Sequence, residues 1–273
     1  IIMFKNSMIA LTCIFTISLF IFSSCKKEDD VVPGGTGSVV LEFDNVANGS
    51  TLSLGKDYTN ANGDVMNFSI FDYYVSNFSL VKEDGSVYIV PKDSCYFLIR
   101  EKGGSNTEIE LKNIPAGNYK EIRFLVGVDS LKSVSPIADR TGVLDPAGEG
   151  ADMYWAWNSG YIFVKAEGTS PQAPLDAASN TNKFRYHIGL FGGYTSATLN
   201  NIKSFALHDE HGEVAEVRTN KKPHYHIIVD VMEMFKNPVT VSVTENHTVM
   251  VSPYSKVIAD NYADMFKLGH IHN

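Results

Sequence analysis

Residues 152–167 read DMYWAWNSGYIFVKAE and hold both tryptophans of the chain, Trp155 and Trp157. Successive side chains of a strand point to opposite faces, so an extended segment places the two rings on one face. The aromatic and β-branched residues from Tyr161 onward favour a half-buried strand. The interruption before Tyr161 ends in a glycine, which predicts a bulge or a close backbone approach. We interpret the rings as core, and the sharper alternative is that the break aims an aromatic or backbone group at a site.

Short strand patterns separated by turn residues extend outward from this stretch in both directions. Examples are residues 39–44, 109–114, 184–191 and 225–230. About ten such runs with little helix between them predict an all-β, β-sandwich-like antiparallel domain with long loops. A short helix is predicted at residues 257–266, where Ile258, Tyr262 and Phe266 recur every four residues.

Composition and sequence motifs argue against two classes of function, nucleic-acid binding and catalysis. The chain has 273 residues, of which 44% are hydrophobic and 20% charged, as in ordinary globular proteins. Its formal charge of −8 argues against a nucleic-acid partner, because phosphate binding needs clustered Lys and Arg. We find no phosphate-binding loop, nucleophile elbow or zinc-protease helix, and we therefore predict that the protein is not an enzyme.

The N-terminal segment has the pattern of a secretory signal. Residues 1–24 combine a basic Lys5 with an apolar run that is short for a membrane span. Small residues precede Cys25, so we predict a bacterial lipoprotein signal, lipidation (palmitate) of Cys25 and an outer-membrane anchor. The alternative is a plain signal peptide cut near Ser24. Residues 25–38 are predicted to be a flexible tether, and residues 39–273 one folded domain.

The charged start of the tether bears on which side of the outer membrane the protein faces. A lysine followed by acidic residues after Cys25 resembles a surface-export signal of some lipoproteins. The alternative is a soluble spacer.

The histidines are the main candidates for metal ligands, because a neutral imidazole suits copper and zinc. His224 with His226, and His270 with His272, are spaced two apart, so on a strand each pair shares a face. Such pairs also occur on solvated faces, and the second pair lies at a chain end, where disorder is common. Cys95 is interpreted as a small buried hydrophobe.

Several motifs together resemble the methanobactin-associated copper-binding protein family, the MbnP-like domain. They are Gly127-Val128-Asp129-Ser130, Leu144-Asp145-Pro146, Met153 to Tyr161, Glu167-Gly168 and His187-Ile188-Gly189. The resemblance implies a β-rich, secreted or lipid-anchored, copper-binding protein. In relatives the ion is held by histidines and by a tryptophan oxidised to kynurenine.

Matched by position, the resemblance makes His187 the leading ligand candidate and Trp155 or Trp157 the candidate for oxidation. Relatives tend to carry a first-strand histidine after the phenylalanine, whereas Phe43 is followed here by Asp44. Asp44 is therefore included in the candidate site, with the paired histidines as substitutes for the lost imidazole.

Two functions follow from these observations. The first is an envelope-anchored copper-binding lipoprotein for metal capture or delivery. The alternative is a metal-free β-sandwich module that recognises a glycan or an outer-membrane protein.

Overall fold

The computed structural model describes residues 34–102, 107–157 and 160–273. The predicted signal and Cys25, the predicted lipidation site, lie outside these ranges. The strands are β1 (Thr36–Ala47), β2 (Ser50–Thr51), β3 (Asp57–Thr59), β4 (Val65–Lys82), β5 (Val87–Ile89), β6 (Tyr96–Arg100), β7 (Glu108–Pro115), β8 (Gly117–Val126), β9 (Tyr154–Trp155), β10 (Gly160–Thr169), β11 (Leu175–Asp176), β12 (Thr181–Gly189), β13 (Lys203–His208), β14 (Ala215–Val217), β15 (His224–Asp230), β16 (Thr248–Val249) and β17 (Phe266–His272). The helices are α1 (Ser130–Ser133) and α2 (Tyr254–Tyr262), and short 3-10 turns span Lys92–Ser94, Ile137–Asp139, Gly142–Leu144, Ala151–Met153 and Val231–Phe235.

Two sheets carry the fold. The smaller, sheet A, has the order β17-β15-β1-β2, with β7 also paired to β1. The larger, sheet B, has the order β11-β12-β10-β4-β8-β13, and short strands extend it. Most pairs are antiparallel, whereas β1 runs parallel to β15. The predicted all-β, sandwich-like class is confirmed.

Aromatic side chains fill the space between the sheets. The Phe43 ring of sheet A meets Tyr73, Phe124 and Phe266 edge-on, with centroids 6.1 to 6.4 Å apart. Edge-to-face rings at this separation are favourable beyond the area that they bury. In β1, Leu41 and Phe43 face this core, whereas Glu42 and Asp44 lie on the outer face and are partly exposed.

A second, smaller core lies beneath the long connection from β8 to β9. Two buried tyrosines tie this connection down, because Tyr74 Oη donates to the Val143 carbonyl at 2.6 Å and Tyr161 Oη donates to that of Leu144 at 2.7 Å. The loop is therefore held by hydrogen bonds and by the aromatic cluster that it covers.

The tryptophan stretch is not the single strand that its pattern predicts. The chain reverses after Trp155, which pairs with Gly160 across a hairpin of β9 and β10. Trp155 is 4% exposed, whereas Trp157 lies in the turn and is 68% exposed. The prediction of one shared strand face is wrong because the turn takes up Trp157, although the rings still touch, with centroids 5.8 Å apart.

The C-terminal helix is shorter and earlier than predicted. It begins directly after Pro253, a residue that favours the first turn of a helix, and ends at Tyr262. Phe266 belongs to β17 instead, and its ring packs on Phe205 with centroids 4.6 Å apart. Phe266, eight residues after Ile258, fits the spacing of a helix, but a strand buries a side chain at this position equally well. Strand β1 likewise begins at Thr36, inside the predicted tether.

Candidate metal centre

Four histidines meet on the outer face of sheet A and form what we call the histidine patch: His224, His226, His270 and His272. Strand β15 carries the first pair and β17 the second, and the two strands are adjacent. The register places His224 opposite His272 and His226 opposite His270. The buried Tyr225 and Ile271 lie between the members of each pair, so strand alternation directs the histidines away from the core.

A bulge at Gly269 gives the C-terminal pair this orientation. Phe266 and Leu268 face the core, and unbroken alternation would send residues 270 and 272 the same way. The register slips between His226 and Ile227 of β15 and skips Gly269 on β17. After the slip, Ile271 faces the core and both histidines face outward. One extra residue in a strand re-aims the side chains that follow it.

The rings of the patch are in mutual contact. His226 stacks on His270 with centroids 4.2 Å apart and on His224 at 4.8 Å. His272 approaches His226 and His270 edge-on, at 5.2 and 4.6 Å. Ring nitrogens of His226, His270 and His272 lie within 4.8 Å of one another. Three imidazoles therefore surround one small volume at the edge of the sheet.

Two carboxylates of β1 complete the patch on its other side. Asp44 Oδ2 lies 3.4 Å and Glu42 Oε2 lies 3.2 Å from Nδ1 of His226. An ionised carboxylate only accepts hydrogen bonds, so this contact favours the proton on Nδ1 and leaves the lone pair on Nε2. A carboxylate behind a histidine orients and strengthens it as a metal ligand.

One nitrogen separation in the patch, between His270 and His272, fits a metal ion. Nε2 of His270 lies 3.0 Å from Nε2 of His272. Two nitrogens bound at about 2.0–2.1 Å to one ion are about 2.9 Å apart in a square plane and about 3.3 Å apart in a tetrahedron. Binding still requires the His226 and His270 rings to turn out of their stack, because their lone pairs lie in nearly parallel planes, 13° apart.

The surroundings of His270 favour its neutral ring. Desolvation first, and then the neighbouring His226 and His272, lower the pKa of His270 from its usual range. A proton is therefore disfavoured at His270, and its lone pair is available at lower pH than in an isolated histidine.

His187 lies apart from the patch, on β12 of sheet B. Its Nε2 is 2.7 Å from Glu167 Oε1 on the neighbouring strand. The ionised carboxylate must accept, so Nε2 carries the proton and the lone pair of the ring lies on Nδ1. This bond is the largest cause that lowers the pKa of Glu167.

His187 belongs to a charged row across sheet B. Arg100, Asp72, Lys165 and His187 occupy facing positions on β6, β4, β10 and β12. Arg100 Nη1 donates to Asp72 Oδ2 at 2.6 Å, and Lys165 Nζ lies 3.8 Å from Glu167 Oε1. His187, the leading ligand candidate from the sequence, is thus surrounded in the structure by ion-paired side chains.

Cys95 and Trp155 also lie outside the histidine patch. Cys95 is buried, and its pKa is raised by burial, as expected of a small hydrophobe. The Trp155 ring covers Gly189, where an added Cβ would lie 2.7 Å from the ring carbon Cζ3. The glycine of the His-Ile-Gly motif therefore makes room for this tryptophan.

Two clefts lie on the surface, one beside Trp157 and one beside the carboxylates of β1. One, of about 320 Å³, is lined by Trp157, Phe191 and Tyr194 together with loop hydroxyls. The other, of about 540 Å³, adjoins Glu42 and Asp44 and includes the buried Glu101.

Sequence reasoning missed Glu42, which joins His224 and His226 in a second group of potential ligands. Its signal was its position two residues before Asp44 in an alternating strand, on the same outer face. No helix in the described residues is both long and apolar enough to cross a membrane.

Comparison with known proteins identifies the fold family. The MbnP family model matches residues 36–251. The structure is similar to that of MbnP from Methylosinus trichosporium, with a TM-score of 0.52 and 20% identity, over 76% of this chain and 80% of the other. No significant match exists among curated protein sequences. The family match spans most of the chain, including β1 and β15, and we conclude that the chain belongs to the MbnP family.

Proposed function

We propose that this protein binds copper at the histidine patch, for capture or delivery of the ion at the cell envelope, without catalysing a reaction. One observation carries the proposal: two strand pairs of histidines, far apart in sequence, meet on one face with Nε2 atoms as close as 3.0 Å. Imidazole suits copper. Membership in the MbnP family, which is associated with metal handling, supports this choice of ion.

Metal retention after desalting tests this proposal. The protein is loaded with copper, passed through a desalting column, and its copper is counted by mass spectrometry. We expect stoichiometric copper in the wild type and in the exposed control H211A, and the loss of at least one copper ion per chain in the double variant H270A/H272A. Equal retention in the double variant, or none in the wild type, would exclude the patch as the copper site.

We also propose that the protein is held at the outer membrane by a lipid on Cys25. The support is the sequence: an apolar signal, small residues before the cysteine and a polar segment before β1. Labelling cells with a palmitate analogue should mark the wild type and not C25A. A label that persists in C25A would rule out this anchor.

A second candidate function rests on Trp157. Its ring is 68% exposed and lines the cleft that also contains Tyr194, itself 62% exposed. Exposed aromatic faces beside hydroxyl groups suit a glycan, and an aromatic at the surface also suits a protein partner. Under this function W157A abolishes binding in a glycan array, whereas copper retention is unchanged.

A further inference from the structure

The histidine patch contains ligand groups for more than one ion. His226, His270 and His272 form one group of potential ligands, and Glu42, His224 and His226 form another. His226 belongs to both and lies between them. A single ion cannot use opposite nitrogens of one imidazole, so the two groups define two positions on either side of that ring.

The second position lies between β1 and β15. Glu42 Oε2 is 3.5 Å from His224 Nε2 and 3.2 Å from His226 Nδ1. His224 Nε2 is buried and has no hydrogen-bond partner in the described structure. A buried polar atom without a partner is unfavourable, and a bound cation would satisfy it. His224 Nε2 therefore lies next to Glu42 of β1.

Charge favours a divalent ion in the second position. Glu42, Asp44 and Glu108 all lie within 4.0 Å of a histidine nitrogen in the patch. These carboxylates offset the repulsion between two neighbouring cations. The two ligand groups contain imidazoles and a carboxylate but no thiolate or thioether, the soft ligands that select Cu(I).

We infer that the patch binds two divalent ions of the Cu(II) or Zn(II) class, one on each side of His226. The inference rests on the proposed function and specifies its stoichiometry. The first ion is held by His226 Nε2, His270 and His272. The second is held by Glu42, His224 and His226 Nδ1, where it replaces the ring proton, which passes to solvent. The position with three imidazoles fills first, because the second must also displace that proton.

Native mass spectrometry of the protein titrated with Zn(II), and separately with Cu(II), tests the inference. We expect two ions in the wild type and in H211A, and one ion in H224A, in E42Q and in H270A. Circular dichroism checks that each variant is folded. One ion in the wild type overturns the two-ion inference and leaves the proposed function standing, whereas no ion overturns both. Two ions in H224A would also contradict the second position.

A spectroscopic readout separates a shared histidine from two unrelated sites. Two Cu(II) ions joined through one imidazole are magnetically coupled, so the electron paramagnetic resonance signal per copper should fall between one and two equivalents. A signal that grows in proportion to added copper up to two equivalents would contradict the sharing of His226.

Discussion

His226 of β15 lies opposite His270 of β17, and the two rings stack with centroids 4.2 Å apart and planes within 13°. The C-terminal strand therefore completes a surface that β15 alone only begins. This strand follows residue 251, the last residue matched by the family model. The metal chemistry that we propose thus joins a strand inside the matched region to one beyond it.

Removing one imidazole of the C-terminal pair should weaken copper binding strongly. H272A deletes a ligand rather than a supporting group, so we expect a loss of affinity greater than the about 10–100-fold that supporting residues contribute. Competition with a chromophoric chelator measures it. H208A, which removes an exposed histidine on β13, should leave the affinity unchanged. Similar losses in both variants would indicate non-specific surface binding.

Asp44 should act through His226 rather than as a ligand of the first ion. In D44N the Nδ1 atom of His226 loses one of the carboxylates that orient it. We expect copper affinity to fall by about 10–100-fold while the number of bound ions stays the same. Isothermal titration calorimetry gives both quantities. A change in stoichiometry would show that Asp44 is itself a ligand.

The two tryptophans should contribute very differently to stability. Trp155 is 4% exposed and packs over Gly189, so W155A should reduce the free energy of unfolding by about 3–5 kcal/mol. Trp157 is 68% exposed, so W157A should change it by about 0.5 kcal/mol or less. Urea denaturation measures both values. Equal effects would contradict the burial of Trp155 and the exposure of Trp157 in the β9–β10 hairpin.

Glu167 should make stability depend on acid pH. Its pKa is lowered, chiefly by the hydrogen bond from His187, so the folded state binds a proton less readily than the unfolded chain, whose glutamates titrate near about 4.3. Stability is therefore present above that value and is lost as pH falls through the lowered pKa. E167Q keeps an oxygen acceptor and should flatten this part of the curve of unfolding free energy against pH. An unchanged slope would show that Glu167 is not involved.

The sequence pattern predicted the fold class well because alternation and turn residues are local. Alternation in β1 and β15 correctly separates Phe43 and Tyr225, which face the core, from Glu42 and His226, which face outward. The outward orientation of His270 and His272 does not follow from alternation alone. Phe266 and Leu268 face the core at alternate positions, but Ile271, three residues after Leu268, faces it too. In the sequence, only Gly269 indicates the bulge that causes this change.

Long-range pairing could not be predicted in the same way. Nothing local indicates that β1 and β15 are parallel neighbours, and so Glu42 was missed. His187 has a motif and a position that suggest a ligand, but its environment depends on Glu167, 20 residues earlier in the chain. Trp157 follows the strand period, yet a turn takes it out of the strand.

The most direct test of the central claim is to observe the histidine rings while the metal binds. A long-range proton–nitrogen NMR spectrum of the protein, titrated with diamagnetic Zn(II), reports each imidazole separately. We predict that the first equivalent shifts the ring nitrogens of His226, His270 and His272 and leaves those of His187, His208 and His211 in place. Shifts at His187 with none in the patch would contradict the account.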